Sequence, residues 1–334
     1  MELNKIYNQD CLEGIKKLPD DSVNLLVTSP PYFNAREYSQ WNSLENYMGD
    51  MQNIFLEAKR VLKNYSIMVV NVGDVLGSSN GRNSGKRKFP LGAYFIKMLE
   101  DIGMTFIDDI IWDKGEVQSK RNFVGENYPH QKYPINCYEH ILIFRKFEKD
   151  KVKPNCPVCN KNIAVSNGIN NNTYTYECKN PDCRKSETGR GVRYSSRQIQ
   201  KLKYHTEENK IDDDFAYMFR RDIVKINPVI KINSKGQNTI GHTAPFPTDI
   251  PEYAIRFFSG VNDTVLDMFM GSGTTAIAAI NTNRNYIGFE LDKEYYNASL
   301  DRIGKHKEEW NEELLWKNYQ TVFKMELFGL NYYG

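Results

Sequence analysis

Thr264-Val265-Leu266-Asp267-Met268-Phe269-Met270-Gly271-Ser272-Gly273-Thr274-Thr275 decides the architecture, because it runs from an apolar strand through a glycine-rich turn into a helix continuing to Ile280. Gly271 and Gly273 allow backbone angles closed to other residues and let the main chain approach a ligand closely. The helix opening at Thr274 offers unpaired N–H groups and a positive dipole end to an anionic group. An acid at the end of the next strand, Glu290 in Ile287-Gly288-Phe289-Glu290-Leu291-Asp292, stands at the roughly 20-residue spacing at which a carboxylate meets ribose hydroxyls. A nicotinamide dinucleotide would ask for a comparable layout, so this logic alone leaves the cofactor open.

Working outward, four apolar segments read as strands: Val23 to Val27, Ser66 to Val72, Phe106 to Trp112 and His140 to Phe144. Helical periodicity lies between them. Tyr47 to Leu62 places Met51, Ile54, Phe55, Ala58 and Leu62 on one face, and Gly92 to Ile102 behaves alike. Such alternation indicates βαβ units around a mostly parallel sheet, an α/β fold. The polar stretch Leu76 to Lys88 reads as a loop. After Lys149 the alternation disappears in favour of Asn, Lys, Arg and Cys. It returns near residue 241 with a helix from Pro251 to Phe258, strands Thr264 to Leu266 and Tyr286 to Glu290, and a long polar helix from Lys293 to about Trp310. The expected organisation is one sheet built from 1–148 and 241–334, with a separate module, 149–240, inserted between.

At 334 residues the chain can bury a sizeable core, and 40% hydrophobic with 26% charged residues is ordinary for a globular protein. No apolar run approaches the roughly 20 residues that span a bilayer. Met1-Glu2-Leu3-Asn4-Lys5-Ile6 lacks a basic-then-apolar leader, so a cytoplasmic location is expected. A net charge of +2 is uninformative, but its distribution is not. Arg184, Lys185, Arg190, Arg193, Arg197, Lys201 and Lys203 crowd one stretch, which alone reads equally as a solvated face; interleaved with Tyr194 and Tyr204 it suggests a DNA-facing surface. An acidic run (Glu207, Glu208, Asp212, Asp213, Asp214) follows.

The second decisive stretch is Thr28-Ser29-Pro30-Pro31-Tyr32, at the end of the first strand. An exocyclic amine of a nucleobase is a poor nucleophile, because its lone pair is delocalised into the ring. Acceptors that bind both amino hydrogens would localise that pair, and Ser29 Oγ with the Pro30 carbonyl are suited to do so. Pro30 and Pro31 fix φ and remove N–H groups, so the turn is stiff. Tyr32 would stack on an extruded base, worth about 1–3 kcal/mol. No cysteine nucleophile is required, and neither Cys11 nor Cys137 sits in the Pro-Cys setting that carbon-5 methylation of cytosine needs.

Together the two stretches resemble the catalytic and S-adenosylmethionine motifs of DNA amino-methyltransferases, and the Ser-Pro-Pro-Tyr form is most similar to the cytosine-N4 enzymes. Asn71-Val72-Gly73-Asp74, Trp112-Asp113-Lys114, Glu139-His140-Ile141-Leu142-Ile143-Phe144 and His242-Thr243-Ala244-Pro245-Phe246-Pro247 extend the likeness across both α/β portions. The catalytic motif precedes the cofactor motif, the circularly permuted β-type order. The resemblance implies S-adenosyl-L-methionine held by Asp10, Cys11, Phe246, Asp267, Phe269, Gly271, Ser272, Gly273, Thr274, Thr275 and Glu290, with Ser29, Pro30, Pro31 and Tyr32 catalytic. Asp10 has a second reading as a turn residue, and Cys11 as buried filler. The resemblance also implies duplex DNA as substrate, restriction–modification as the setting with a paired endonuclease acting on the same site, and a monomer or homodimer. Adenine N6 is the alternative target; a catalytically silent nucleic-acid-binding scaffold and an RNA or protein amine methyltransferase are the others. Lone histidines such as His140 read as structural.

In the inserted region Cys156-Pro157-Val158-Cys159 and Cys178-Lys179-Asn180-Pro181-Asp182-Cys183 pair two close cysteine couples. Four thiolates complete a tetrahedral Zn²⁺ site and leave no open position, so a structural zinc ribbon is expected. The resemblance makes such an insertion the target-recognition module; a protein-docking ribbon is the other reading.

Overall fold

The computed structural model describes residues 1–34, 40–78, 86–115, 137–170, 173–184, 189–229 and 246–327. The chain begins with β1 (Lys5–Tyr7), α1 (Cys11–Ile15), β2 (Val23–Thr28), α2 (Leu44–Val61), β3 (Leu62–Val72), the short strands β4 (Val75–Ser78) and β5 (Lys86–Phe89), α3 (Leu91–Asp101), β6 (Met104–Asp113) and β7 (Tyr138–Lys146). The central region holds β8 (Ala164–Ile169), β9 (Tyr174–Cys178), β10 (Arg193–Ser195), α4 (Ser196–Lys203), α5 (Asp213–Met218) and β11 (Ile223–Lys225). The last part contributes α6 (Asp249–Phe258), β12 (Thr264–Asp267), α7 (Thr274–Asn281), β13 (Asn285–Phe289) and α8 (Lys293–Leu327). No helix among the described residues is long and apolar enough to cross a membrane.

Eight strands form the main sheet in the order β1-β13-β12-β2-β3-β7-β6-β11. Only β7 runs antiparallel to its neighbours. The apolar runs expected as strands are these central strands, and their alternation splits the core in two. Leu26, Met68, Val70, Leu142 and Phe144 face α1, α2 and α3 on one side. Leu25, Val27, Ile67, Val69, Ile141 and Ile143 face α6, α7 and α8 on the other. With both faces covered, the strands read as continuous apolar runs.

Helix α2 shows how local signals and packing agree. Ser43 caps it by accepting from the Asn46 N–H, and Tyr47, Met51, Ile54, Phe55 and Ala58 are buried along one stripe. Met51, Ile54 and Phe55 each contribute about 1.5–3 kcal/mol by leaving water. The helix stops where Leu62 turns to extended backbone and enters β3.

Two expectations are corrected. The polar stretch read as a loop begins and ends in paired strands, because Val75 and Phe89 are buried apolar residues that zip β4 to β5. Of the expected module, 149–240, only the first part is a separate unit among the described residues, and 230–240 lie outside them. Its own sheet, β10-β9-β8, ends at Ser195, and α4 completes it. From Tyr204 onward the chain returns to the main body. Gly260 packs against the Tyr204 ring, Asn209 accepts from the Val261 N–H at 2.8 Å, and β11 joins the sheet edge beside β6. A three-residue strand in a polar context leaves no periodicity to read.

Candidate functional site

A cleft of about 1000 Å³ opens where β1, β2, β3, β6, β12 and β13 end and β7 begins. That is where open α/β sheets bind ligands, and β2 and β12 lie side by side there although Thr28 and Asp267 are 239 residues apart. Ser29, Pro30, Pro31 and Tyr32 from the end of β2 all line it. So do Asp10, Cys11, Phe246, Phe269, Gly271, Ser272, Thr274 and Glu290. The two motifs therefore share one cavity. Residues 242–245 of the segment around Phe246 lie outside the described residues.

The glycine loop is built as the sequence requires. Gly273 sits at φ +82° and caps α7 in the left-handed region, which a side chain would strain. Glu290 Oε2 accepts from the Gly271 N–H at 2.8 Å and Oε1 from the Asp292 N–H at 2.8 Å. Burial raises the Glu290 pKa, partly offset by those two amides. Each oxygen keeps a lone pair for hydroxyls entering the cleft. Arg302 of α8 braces the loop, donating to the Ser272 carbonyl and to the hydroxyls of Ser272 and Thr274 at 3.0–3.2 Å. Nothing in the sequence marked it.

Asp267, Gly273 and Thr275, expected to touch the cofactor, do not line the cleft. Asp267 is 1% exposed, and its carboxylate accepts from Thr28 Oγ1 (2.7 Å), Thr275 Oγ1 (2.6 Å) and the Phe269 N–H (3.0 Å). Burial raises its pKa. It is a latch joining the end of β2 to the glycine loop. Asp10 caps α1, accepting from the Glu13 N–H at 3.0 Å as a turn residue would, and it also lines the cleft. Cys11 is buried, and burial pushes its thiol up to about 12, with Asp10 adding to the shift. A neutral thiol is no nucleophile.

Tyr32 lies in the turn that follows β2. Its hydroxyl donates to Glu139 Oε2 at 2.7 Å, and Ser29 Oγ lies 3.5 Å from that Tyr32 hydroxyl oxygen. Burial first, then the Glu139 charge, hold the Tyr32 phenol far above its ordinary pKa, so it stays neutral. The ring is thus a fixed wall of the cleft. Lys114, packed over the Trp112 ring, bonds Glu139 Oε1. His140, expected to be structural, does not line the cleft: its Nδ1 meets Asp109 Oδ2 at 2.8 Å, and Gly92 leaves room for its ring.

The four cysteines converge, with all four Sγ atoms within 4.8 Å of one another. Cys156–Cys183 and Cys159–Cys178 are each 3.7 Å apart. A disulfide needs about 2.05 Å. A tetrahedron of thiolates around Zn²⁺ at about 2.3 Å has edges of about 3.8 Å, so the donor set fits that ion.

This module lies at the opposite end of the sheet from the cleft. Phe147 stacks on Tyr174 at 5.6 Å, Asn64 Nδ2 bonds the Glu148 carbonyl, and Lys151 pairs with Asp21, all beside the starts of β2 and β3. Strand β7, from Tyr138 at the cleft to Lys146 at the module, spans roughly 27 Å. The aromatic residues of the basic stretch also point inward. Tyr194 is 3% exposed and donates to the Pro154 carbonyl, while Tyr204 packs on Gly260. Arg193 faces Glu177 at 3.7 Å. Lys185 lies outside the described residues. Among the described residues, none from Lys149 to the end of α4 lines the cleft.

The profile of the DNA methylase family (N6_N4_Mtase) matches residues 23–301. The chain is 36% identical over 303 residues to the type II beta methyltransferase M.BslI of Bacillus sp. (strain NEB-606), covering 89% of this chain and 27% of M.BslI. It thus spans about a quarter of that relative. It is 29% identical to the type II methyltransferase M.MjaI of Methanocaldococcus jannaschii, over 86% of this chain and 87% of the relative. In fold it is similar to a protein of Thermus thermophilus described as a putative DNA modification methylase and solved with S-adenosyl-L-methionine (TM-score 0.60, 24% identity, 90% and 93% of the two chains). It is also similar to the PvuII DNA methyltransferase, described as cytosine-N4-specific (TM-score 0.57, 19% identity, 90% and 86%).

Proposed function

The chain belongs to the DNA methylase family, and from that premise we propose that it is a site-specific DNA methyltransferase moving a methyl group from S-adenosyl-L-methionine to cytosine N4 in duplex DNA, in a restriction–modification setting. One observation carries the reading: Ser29-Pro30-Pro31-Tyr32 and the glycine loop with Glu290 open into one cleft. The sulfonium of S-adenosylmethionine supplies an electrophilic methyl group. Glu290 would hold the ribose hydroxyls, the start of α7 the carboxylate, and Asp10, Phe246 and Phe269 the adenine end. Ser29 Oγ and the Pro30 carbonyl would accept the amino hydrogens of a base flipped into the cleft, and the Tyr32 ring would bound the space beside it. Holding nitrogen and methyl roughly 3–3.5 Å apart in line provides much of the remaining catalysis. Ser at position 29 favours cytosine N4 through the resemblance already drawn, as does the likeness to the PvuII enzyme in fold.

Isothermal titration with S-adenosylmethionine tests the cofactor half. Binding by the unmodified chain is expected, and Glu290→Ala should weaken it on the order of 10- to 100-fold, the loss of two charged hydrogen bonds at about 1.5–3 kcal/mol each being partly met by water. Unchanged affinity would remove Glu290 from the site.

The cysteine cluster is proposed to hold one structural Zn²⁺, supported by its sulfur spacing. About one zinc per chain is expected by elemental analysis. Because the module stands apart from the cleft, Cys183→Ser should lose the metal and expose the module to proteolysis while cofactor affinity stays within about twofold. Zinc absent from protein purified without chelator would overturn the assignment.

A further inference from the structure

Serine is an ambiguous group for the task given to Ser29. Its hydroxyl both donates and accepts, whereas activating an amine requires an acceptor. Ser29 Oγ and the Tyr32 hydroxyl face each other at 3.5 Å, a contact in which either atom could donate. The rest of the chain of bonds removes the ambiguity. Glu139 is buried, bonded through one oxygen to Lys114 and through the other to Tyr32. The Tyr32 hydroxyl donates to Glu139 Oε2 at 2.7 Å, while Lys114 holds the other oxygen. The Tyr32 oxygen is then left with lone pairs only, and the hydroxyl proton of Ser29 turns toward it. That leaves the free lone pairs of Ser29 facing the cleft. Contacts of this kind are commonly long before substrate arrives, which accommodates 3.5 Å.

We propose that Glu139, held by Lys114, sets the direction of the hydrogen bonds through Tyr32 and so fixes Ser29 as an acceptor for the target amine. The inference rests on the methyltransferase reading and goes beyond it, making Glu139 and Lys114 positioning residues that act through Tyr32. The fold is shaped for this pairing. A Cβ at Gly73 would come within 2.8 Å of the Glu139 side chain, so glycine there leaves the carboxylate its place. Hydrogen bonds in a low-dielectric site polarise one another, so an anion two bonds away also strengthens the acceptor.

The test uses kcat on duplex DNA carrying the methylated site, with S-adenosylmethionine affinity measured alongside. Glu139→Gln replaces an obligate acceptor by a group whose NH₂ can donate to Tyr32, reversing the chain. It should lower kcat about 50-fold, with cofactor Kd and DNA KM changed less than about threefold. Tyr32→Phe, which adds no volume and keeps the ring, breaks the chain and should lower kcat about 10- to 30-fold; it serves if the glutamine variant does not fold. The deciding arm repeats both substitutions in a Ser29→Asp background, whose ionised carboxylate can only accept, whatever its neighbours do. There each should cost less than about threefold. Equal losses in both backgrounds would show that Glu139 merely supports the fold, and no loss in either would show that Ser29 needs no orientation; both overturn the proposal. A wild-type chain that transfers no methyl to any duplex removes the functional reading and this inference with it.

Discussion

Ser29→Ala is expected to lower methyl transfer on the order of 10²–10³-fold in kcat while leaving S-adenosylmethionine affinity within about twofold. The size follows from losing one preorganised polar contact at the reacting centre. The selectivity follows from position. Ser29 is at the end of β2 on the catalytic side of the cleft, whereas Gly271, Ser272, Thr274 and Glu290 stand at the ends of β12 and β13. Removing Oγ creates only a small gap in the cleft wall, so the fold should be retained. The Pro30 carbonyl remains as second acceptor, and residual activity is expected from it and from proximity. Parallel steady-state kinetics and calorimetry on the two proteins separate these outcomes. A variant with unchanged kcat would take Ser29 out of the chemistry. One that also lost the cofactor would show that the two halves of the cleft are not independent.

Asp267→Ala should have the second-largest effect, and of a different kind. The carboxylate holds Thr28, next to Ser29, and also Thr275 and the Phe269 N–H of the glycine loop. Without it two buried hydroxyls and a part-buried N–H lose their partner, at a cost of about 3 kcal/mol. Both motifs loosen together, so cofactor affinity and kcat should fall jointly, with kcat down on the order of 10²-fold for a displacement near 1 Å. Asp267→Asn keeps the shape and removes a charge that burial already disfavours. It should cost only about 1 kcal/mol and retain most activity. Thermal unfolding of the two variants, with titration of S-adenosylmethionine, checks the contrast. A direct cofactor contact by Asp267 would instead show as lost affinity in both variants with little loss of stability.

The central sheet was legible because its strands are buried on both faces and leave long apolar runs, as at Val23 to Val27 and His140 to Phe144. Strands β1 and β11, of three residues each, were not, since they gain their place only by pairing with β13 and β6. Both motifs were readable, because glycine and proline impose backbone geometry that no partner has to supply. Roles that depend on direction were not. Asp267 and Glu290 look alike in sequence, yet one points into the core and the other into the cleft. Glu139 and Lys114, 25 residues apart, meet only because β7 returns antiparallel beside β6. The cysteine spacing announced a cluster correctly but said nothing of which end of the sheet would carry it.

The central claim is methyl transfer to an exocyclic base amine, and one measurement addresses it directly. Unmodified genomic DNA is incubated with the protein and methyl-labelled S-adenosylmethionine, digested to nucleosides and separated by chromatography. Label in N4-methylcytosine is the expected result. Label in N6-methyladenine would retain the cleft and its chemistry but contradict the base assigned through Ser29, and DNA left without label would contradict the proposed function itself.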